Sequence, residues 1–517
     1  MKKPAFKFNE VETLSLLGHK VASDVFDLSS NQINVSIRDQ MVRAQQLMFD
    51  LRAADANAQS ILVVGMGAAG MTAALAACDA GFQTVCAVDT ASKPFALFDT
   101  LTSRYVGPYM YEWPSPFCND QSYSVHGSTP WSGNKAPPLT WTAPVPVTAH
   151  DLAVKLTQSV IAWHTKNAAQ PKPVAVPHLL FDFDKAKIRA FVKKFAEVQG
   201  LRSTCKKNGI QPEKLSFADY LGKFSRWAEL PATKLPRSFA PDYVILAAGM
   251  GIEVLHIPGA FRKQMSPGFW KNDNLKQAVV ANQTTVVLGG GDGAIQDSLR
   301  ALTKYDHPLA FMTDLDALPA AQAALAVHLP ALLSADRQLR QHTSWSRDTS
   351  GFVMTDKACR LTAAVLAKNP VVKQFVCSTL RAGPGTVTHY VRSRHFDKAY
   401  LLNRFVIHLL AACVDPDPTK NRGGMGFSLE FGVEVKYVRA AMGGTILQGP
   451  WNLGLGPPGK PRTPITVRHK NVDLVVVRFG IDPKTVPGPT LVALDADYAE
   501  HRTTLNRVEL PFVTMIA

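Results

Sequence analysis

The 517-residue chain contains no Cys-x-x-Cys pair, no H-E-x-x-H, no G-x-x-x-x-G-K-[ST] and no ordered Ser/His/Asp set. Dithiol redox centres, zinc peptidases, phosphate-loop NTPases and triad hydrolases therefore lose their usual sequence support. Cysteine is sparse: seven residues (Cys78, Cys86, Cys118, Cys205, Cys359, Cys377, Cys413), odd in number and widely spread. That distribution argues against a disulfide framework and against a metal site, and reduced thiols are the simplest account. Long apolar runs are missing too. The longest kind, "FVIHLLAAC", falls well short of the ~20 residues that cross a bilayer, and no apolar segment follows the lysines of "MKKPAFKFNEVETL". The expectation is a cytoplasmic, unanchored protein. There is also no arginine-rich stripe or basic tail, only small clusters such as Lys193-Lys194 and Lys206-Lys207, so nucleic acid is not an expected partner.

What is present describes a globular protein. Hydrophobic residues make up 46% and charged residues 19%, a balance that suits neither a disordered chain nor a membrane protein. The length suggests two to four domains, or one with large insertions. A net charge of +15 makes the surface attractive to anions, including phosphate-bearing cofactors and acidic small-molecule substrates.

Two stretches share one grammar. "ILVVGMGAAGMTAALAACDAGFQTVCAVDT" (61–90) reads as a strand, a glycine turn, an alanine-rich helix and a second strand ending on Asp89. Its Gly65, Gly67 and Gly70 form G-x-G-x-x-G: the first glycine permits a tight turn, the second lets backbone approach a pyrophosphate, and the third lets helix pack on strand. The helix start, with Ala68 and Ala69, then offers N–H groups and a partial positive charge to phosphate. Asp89 follows about twenty residues on, where a carboxylate meets a ribose diol. "TTVVLGGGDGAIQDSLRAL" (284–302) repeats the pattern as Gly289, Gly290, Gly291 and Ala294. Asp314, at the end of "PLAFMTD", is the candidate acid of this second site. It favours an unphosphorylated ribose, although Lys304 or Arg300 would suit a 2′-phosphate. Asp292 is a misfit, because a carboxylate inside a phosphate loop repels the ligand unless it points away or caps the helix.

Elsewhere the spacing predicts helices over 36–56, from 149 onward and over 183–198, and a buried parallel strand in "PDYVILAAGMG". Residues 318–413 read as mostly helical, and "VDLVVVRFG" (472–480) as a strand. Between them lie aromatic, proline-rich stretches with Tyr109, Tyr111, Trp113, Trp131 and Trp141, which read as packed loops.

Together, "GMGAAG" with Asp89, the "VILAAGMG" strand with Ala248 and Gly249, and "VLGGGDGA" resemble the two-dinucleotide-binding-domain flavoproteins, the group of pyridine-nucleotide flavin reductases and flavin monooxygenases. "VDLVVVRFGID" is similar to the family's second return strand. The resemblance implies an α/β fold in which a Rossmann-like FAD-binding domain is interrupted by a second Rossmann-like NAD(P)-binding unit, with a helical insertion or cap. The implied layout is a helical lead-in over 1–56 and an FAD domain over 57–280 with a loop insertion at 102–147. An NAD(P) unit follows over 281–317, then a helical insertion over 318–415 and strands over 416–517 returning to the FAD domain. It also implies FAD in the first site and NAD(P)H in the second, the cofactors carrying the chemistry and the protein supplying orientation.

Without a reactive cysteine pair a disulfide reductase is disfavoured, which leaves a monooxygenase acting on a small molecule as the first expectation. A flavin dehydrogenase or oxidase and a non-catalytic dinucleotide sensor stand as alternatives. No catalytic side chain is assigned and no metal is expected; a homodimer is left open. Tyr111, Trp113 and Trp270 of "GFWKND" are candidates for the substrate pocket, with ordinary loop packing as the competing reading. His342, Trp345 and Arg347, and His389, Arg392, Arg394 and His395, suit an acidic substrate or a plain basic surface equally.

Overall fold

A computed structural model describes residues 14–28, 36–107, 113–114, 138–139, 145–169, 175–207, 214–231, 233–257, 266–345, 350–396, 399–445, 449–459, 468–486 and 491. The chain opens with α1 (Leu14–His19), the hairpin strands β1 (Lys20–Ala22) and β2 (Val25–Asp27), and α2 (Ile37–Ala54). A parallel βαβ run follows: β3 (Ser60–Val64), α3 (Ala68–Asp79) and β4 (Thr84–Val88). After a small hairpin, β5 (Tyr105–Val106) with β6 (Val147–Thr148), come α4 (Ala149–Ala168), β7 (His178–Leu180), α5 (Lys185–Lys207) and β8 (Tyr243–Leu246).

These strands form one six-stranded sheet in the order β1-β2-β8-β3-β4-β7. All neighbours are parallel except β1 with β2. Parallel sheets need cover on both faces, and the side chains alternate accordingly. Ile61, Val63, Val85, Ala87 and Ile245 pack under α2, α3 and α4, while Leu62, Val64, Cys86, Val88, Val244 and Leu246 pack under α5 with Phe191, Phe195 and Phe217. Helix α3 is apolar all round because it is buried on nearly every side, Ala73, Ala74, Ala76 and Ala77 being fully covered. Alanine lets it lie close to both β3 and α2.

The second sheet begins at β9 (Thr284–Leu288), followed by α6 (Asp292–Leu302), α7 (Pro308–Asp316), α8 (Pro319–Trp345), α9 (Ser350–Leu366) and α10 (Pro370–Thr379). Only then come its second strand, β10 (Thr386–Val391), and α11 (Leu401–Cys413), β11 (Gly426–Phe431), β12 (Glu434–Thr445), β13 (Gly449–Gly456), β14 (Arg468–Val472) and β15 (Leu474–Val477). The order is β11-β10-β9-β15, all parallel. In both sheets, then, the strand at the glycine turn is followed along the chain by a second and third strand to one side and a closing strand on the other; in the first sheet the earlier pair β1-β2 extends the layer beyond its closing strand. One face of the second sheet is covered by α6, α7, α8, α9 and α11. The other is covered by the antiparallel sheet β12-β13-β14, whose Val435, Val438, Leu453 and Leu455 meet Val286, Leu288, Val475 and Val477.

The architecture is α/β with parallel sheets, and its layout departs from the sequence expectation in four places. The lead-in over 1–56 is not purely helical, since β1 and β2 lie within it and extend the first sheet beside β8. The second unit does not end at residue 317, since β10, β11 and β15 complete its sheet. The predominantly helical stretch 318–415 contains β10, so α8, α9 and α10 are an insertion between the first and second strands of that unit, while α11 connects the second to the third. The strands after 416 join the second unit; among the described residues of this region, Leu491 packs against a hydrophobic core of the first, and residues 480–482 pair with 252–254 beyond β8. The physical reason is that a parallel strand needs a crossover, and a crossover tolerates long helical insertions that sequence periodicity cannot see through.

Among the described residues, no single helix is long and apolar enough to cross a membrane. The apolar pair of α7 and the first part of α8, bent by 110°, buries Phe311, Met312, Leu315, Ala321 and Leu325 in the second core.

Candidate functional site: two glycine turns at the carboxyl ends of central strands

The two turns are built alike. Gly65 has φ +103°, and a Cβ there would stand 2.3 Å from the Ala247 carbonyl oxygen just past β8. Gly289 has φ +148°, and its Cβ would stand 2.1 Å from the Arg478 carbonyl oxygen just past β15. Each first glycine is thus required twice over, by its left-handed backbone and by the return strand pressed against it. Gly70 is sealed in turn, since a Cβ would lie 1.9 Å from the Gly65 carbonyl oxygen; Ala294, the residue at the corresponding place, is fully buried. The middle glycines are different. A Cβ on Gly67 or on Gly291 would meet nothing within 4 Å, so each middle position faces open space.

Gly67 and Gly291 are also the N-caps of α3 and α6, and neither helix start is capped by a side chain. Elsewhere the chain does cap: Thr148 accepts from the start of α4, His307 from α7 and Asn369 from α10. The two glycine turns therefore present uncapped helix N-termini to open space, an arrangement suited to an anion. Ala68 is buried, Ala69 is half-buried and Gly290 is half-buried, all within the turns, while Ala248 and Gly249 are exposed at the rim of the first.

Asp89 stands one residue past β4, half-exposed, beside the first turn. Its Oδ2 accepts the Met66 N–H at 2.5 Å and its Oδ1 the Ala91 N–H at 2.8 Å, which fixes its direction. Asp292 points away from its own turn: Oδ1 accepts from the Tyr400 N–H at 2.8 Å and from Asn403 Nδ2 at 2.6 Å, holding the start of α11. Burial pushes its carboxyl up to about 6, against the pull of those hydrogen bonds and of Arg404. The misfit acid is thus a brace between α6 and α11.

Asp314 does not occupy the end of a strand. It lies on α7, where it accepts the Tyr305 hydroxyl at 2.5 Å. Helix α6 carries the chain away from the turn by about 16 Å, so an acid soon after it sits at the wrong end of the sheet. The residues following the true second strand, β10, are Arg392, Ser393 and Arg394. Arg300 is buried among aspartates beneath the turn, and Lys304 lies over the Tyr305 ring at 5.4 Å.

Two of the aromatic candidates, Trp113 and Trp270, pack against neighbouring rings. Trp113 is buried in the second core, stacked on Phe405 of α11 with centroids 5.3 Å apart. Trp270 wedges against Phe98 at 5.3 Å and Phe269 at 5.1 Å. Tyr111 and Arg347 lie outside the described residues, as do the side chains of His342 and Trp345. The "GFWKND" stretch clasps the first unit: Asn272 Oδ1 accepts the Thr102 and Ser103 N–H groups and its Nδ2 donates to the Thr100 carbonyl.

Beneath the second turn lies a buried knot that the sequence does not announce. Arg104 from the first unit, Arg300 from α6 and Arg478 from the end of β15 surround Asp297 and Asp273. Arg478 Nε is 2.8 Å from Asp297 Oδ2, Arg300 Nη1 is 2.8 Å from Asp273 Oδ2 and 3.0 Å from Asp297 Oδ1, and Arg104 bonds both aspartates. Burial alone would raise the Asp297 carboxyl, yet the three guanidinium groups hold it below the usual carboxylate range. His389 of β10, which the sequence assigns to an acidic substrate or a basic surface, is at neither: fully buried, it bonds the Gly289 carbonyl through Nε2 at 2.7 Å and Ser298 Oγ through Nδ1 at 3.0 Å. Burial pushes it down to about 4, so it is a neutral ring donating to the turn.

The two turns are linked through their return strands. Residues following Ala247 and Arg478 pair antiparallel, with Glu253 opposite Ile481, Val254 N–H to the Gly480 carbonyl at 2.8 Å and Asp482 N–H to the Ile252 carbonyl at 2.8 Å. At roughly 3.4 Å per residue, the path from Ala247 across the Glu253–Ile481 pairing to Arg478 is about 35 Å at most.

Among the described residues no group of three or more His, Cys, Asp or Glu could hold a metal ion. Neither the protein-family models nor the curated proteins compared with the chain give a match.

Proposed function

We propose that the chain is an oxidoreductase that holds FAD in the first cleft and NAD(P)H in the second, with a monooxygenase acting on a small molecule as the favoured subclass. The observation that carries this reading is the duplicated cradle. Each turn has its outer positions sealed, its middle glycine open to space and its helix start uncapped, and the two are tied together by paired crossings. Packing explains the sealed positions. It gives no reason for glycine at Gly67 and Gly291, whereas a diphosphate resting on the helix start does.

In the first cleft the N–H groups of Ala68, Ala69 and Gly70 would face the diphosphate, and Asp89 is turned toward the turn where a ribose diol would accept its company. Ala248 and Gly249, exposed at the rim, leave room for the cofactor's path. In the second cleft Gly290, Gly291 and the start of α6 would do the same, with His389 fixing the Gly289 carbonyl. When bound, the pair supplies hydride transfer from nicotinamide to flavin; the protein's part is to hold both and to keep competing groups away. Cys78 and Cys86 are buried, which raises both thiols well above their ordinary range, so neither suits thiolate chemistry. This favours onward transfer to a small molecule over reduction of a disulfide.

The test is optical. Purified protein should show the visible bands of bound flavin, and anaerobic reduced nicotinamide should bleach them. Gly67→Val should release the flavin while circular dichroism stays unchanged, because the new side chain enters only open space. A colourless protein that takes up no added FAD, or a valine variant with full flavin content, would overturn the assignment.

A further inference from the structure

The two turns differ at the position where, on the proposed reading, a dinucleotide's adenosine ribose would be bound. In the first unit the Gly65 N–H bonds the Val88 carbonyl, and the next residue is Asp89. In the second unit the Gly289 N–H bonds the Tyr390 carbonyl, and the next residue is Val391. Register and hydrogen bond thus make Val391 the counterpart of Asp89. Val391 is 1% exposed and belongs to the apolar core under the second sheet, so this cleft has no carboxylate at that position. Beyond it the chain continues as Arg392, Ser393 and Arg394, with both arginines exposed.

We infer that the second cleft selects a dinucleotide bearing a phosphate on the adenosine 2′-oxygen, and that Arg392 and Arg394 are the residues that discriminate it. The inference rests on the proposed use of that cleft for a nicotinamide dinucleotide. A carboxylate beside the ribose accepts hydrogen bonds from a free diol and repels a phosphate dianion; replacing it by valine removes both effects. Arginine then supplies a planar set of donors that matches phosphate oxygens. Arg392 is oriented, since its Nε lies 3.2 Å from Glu434 Oε1 while the side chain stays 68% exposed. Glu434 does not cancel the local charge, because its other oxygen is held by Lys436 Nζ at 2.6 Å and by the Gly459 N–H at 3.1 Å. The basic groups placed for this role from sequence alone, Arg300 and Lys304, are respectively locked in the buried knot and packed on Tyr305 beyond the far end of α6.

The experiment is a binding titration of the full-length protein, read by calorimetry, with adenosine 2′,5′-bisphosphate against 5′-AMP and with NADPH against NADH. The phosphorylated member of each pair should bind at least about tenfold more tightly, and rising salt should narrow the gap. The double variant Arg392→Ala/Arg394→Ala should erase the gap while leaving 5′-AMP and NADH within about twofold of the parent. Gly291→Val should abolish binding of all four, and Gly67→Val should leave the gap intact. Equal affinities in the parent, or a gap that survives loss of both arginines, would overturn the inference and leave the nucleotide cleft standing. Failure of every nucleotide to bind the parent would overturn the cleft itself, and the inference with it.

Discussion

Residues of one kind carry opposite duties within a few positions. Gly65 is held by sterics, Gly67 is left open, and the sequence shows only that both are glycine. The G-x-G-x-x-G spacing is readable because turn and helix are adjacent in the chain, and Asp89 is readable because a short helix separates it from the turn. His389 is not, since its duty is to a carbonyl a hundred positions away. It makes a measurable contribution to acid sensitivity. An unfolded histidine protonates near 6.5, while folded His389 holds out to about 4, so on acidification the unfolded state takes up protons first. Stability from this residue is complete above pH 6.5 and is lost as pH falls toward 4, by about 3 kcal/mol in total. His307, pushed down to about 3, acts in the same sense, whereas Asp292, pushed up to about 6, acts in the opposite one. Urea midpoints at pH 7.5, 5.5 and 4.5 should show His389→Gln less stable at the highest pH, by about 1–2 kcal/mol, and flatter than the parent below pH 6.5. Parallel curves would rule the assignment out.

Elements are legible where a local period decides them. Strands β3, β8 and β15 read as apolar runs, and α2, α4 and α5 read from their spacing. Asp314 is misplaced by the sequence pattern because a short crossover is the ordinary expectation, whereas four further helices stand between α6 and β10 in the second unit. "TVTHYV" is a brief strand among helices and carries no mark of which neighbour it pairs with. Helix α6 hides its polar knot for a related reason. Ala294, Ile295, Ser298, Leu299 and Leu302 form one stripe, and Asp297 and Arg300 lie off it, on the side that a sequence reading gives to solvent. Both are buried because residues 100–104 and 267–273 cover that side. Asp297→Asn should therefore cost about 3–5 kcal/mol, the penalty for leaving buried guanidinium groups short of a carboxylate. Its urea midpoint is the measurement, and a loss under about 1 kcal/mol would show that the knot relaxes into water.

At the scale of the whole molecule, two units are joined by paired crossings, by the Asn272 clasp and by Arg104 reaching across to Asp297. Such a junction couples their unfolding. Far-ultraviolet circular dichroism and tryptophan fluorescence should follow the same urea transition in the parent chain, and Asp297→Asn should pull the two curves apart. Separate transitions in the parent would mean that the units stand alone. Length and composition indicate more than one unit, but which strands belong to which is beyond them, because pairing depends on contacts between distant segments.

Every strand of the first sheet lies at or before Leu246, and the second sheet is strung between that point and Val477. The whole of the second sheet is still to be synthesised when the final strand of the amino-terminal layer is complete. The early half can close around its own oily interior during synthesis, offering the later half a finished platform, while the last described residue to return, Leu491, adds a latch that arrives only after both are built.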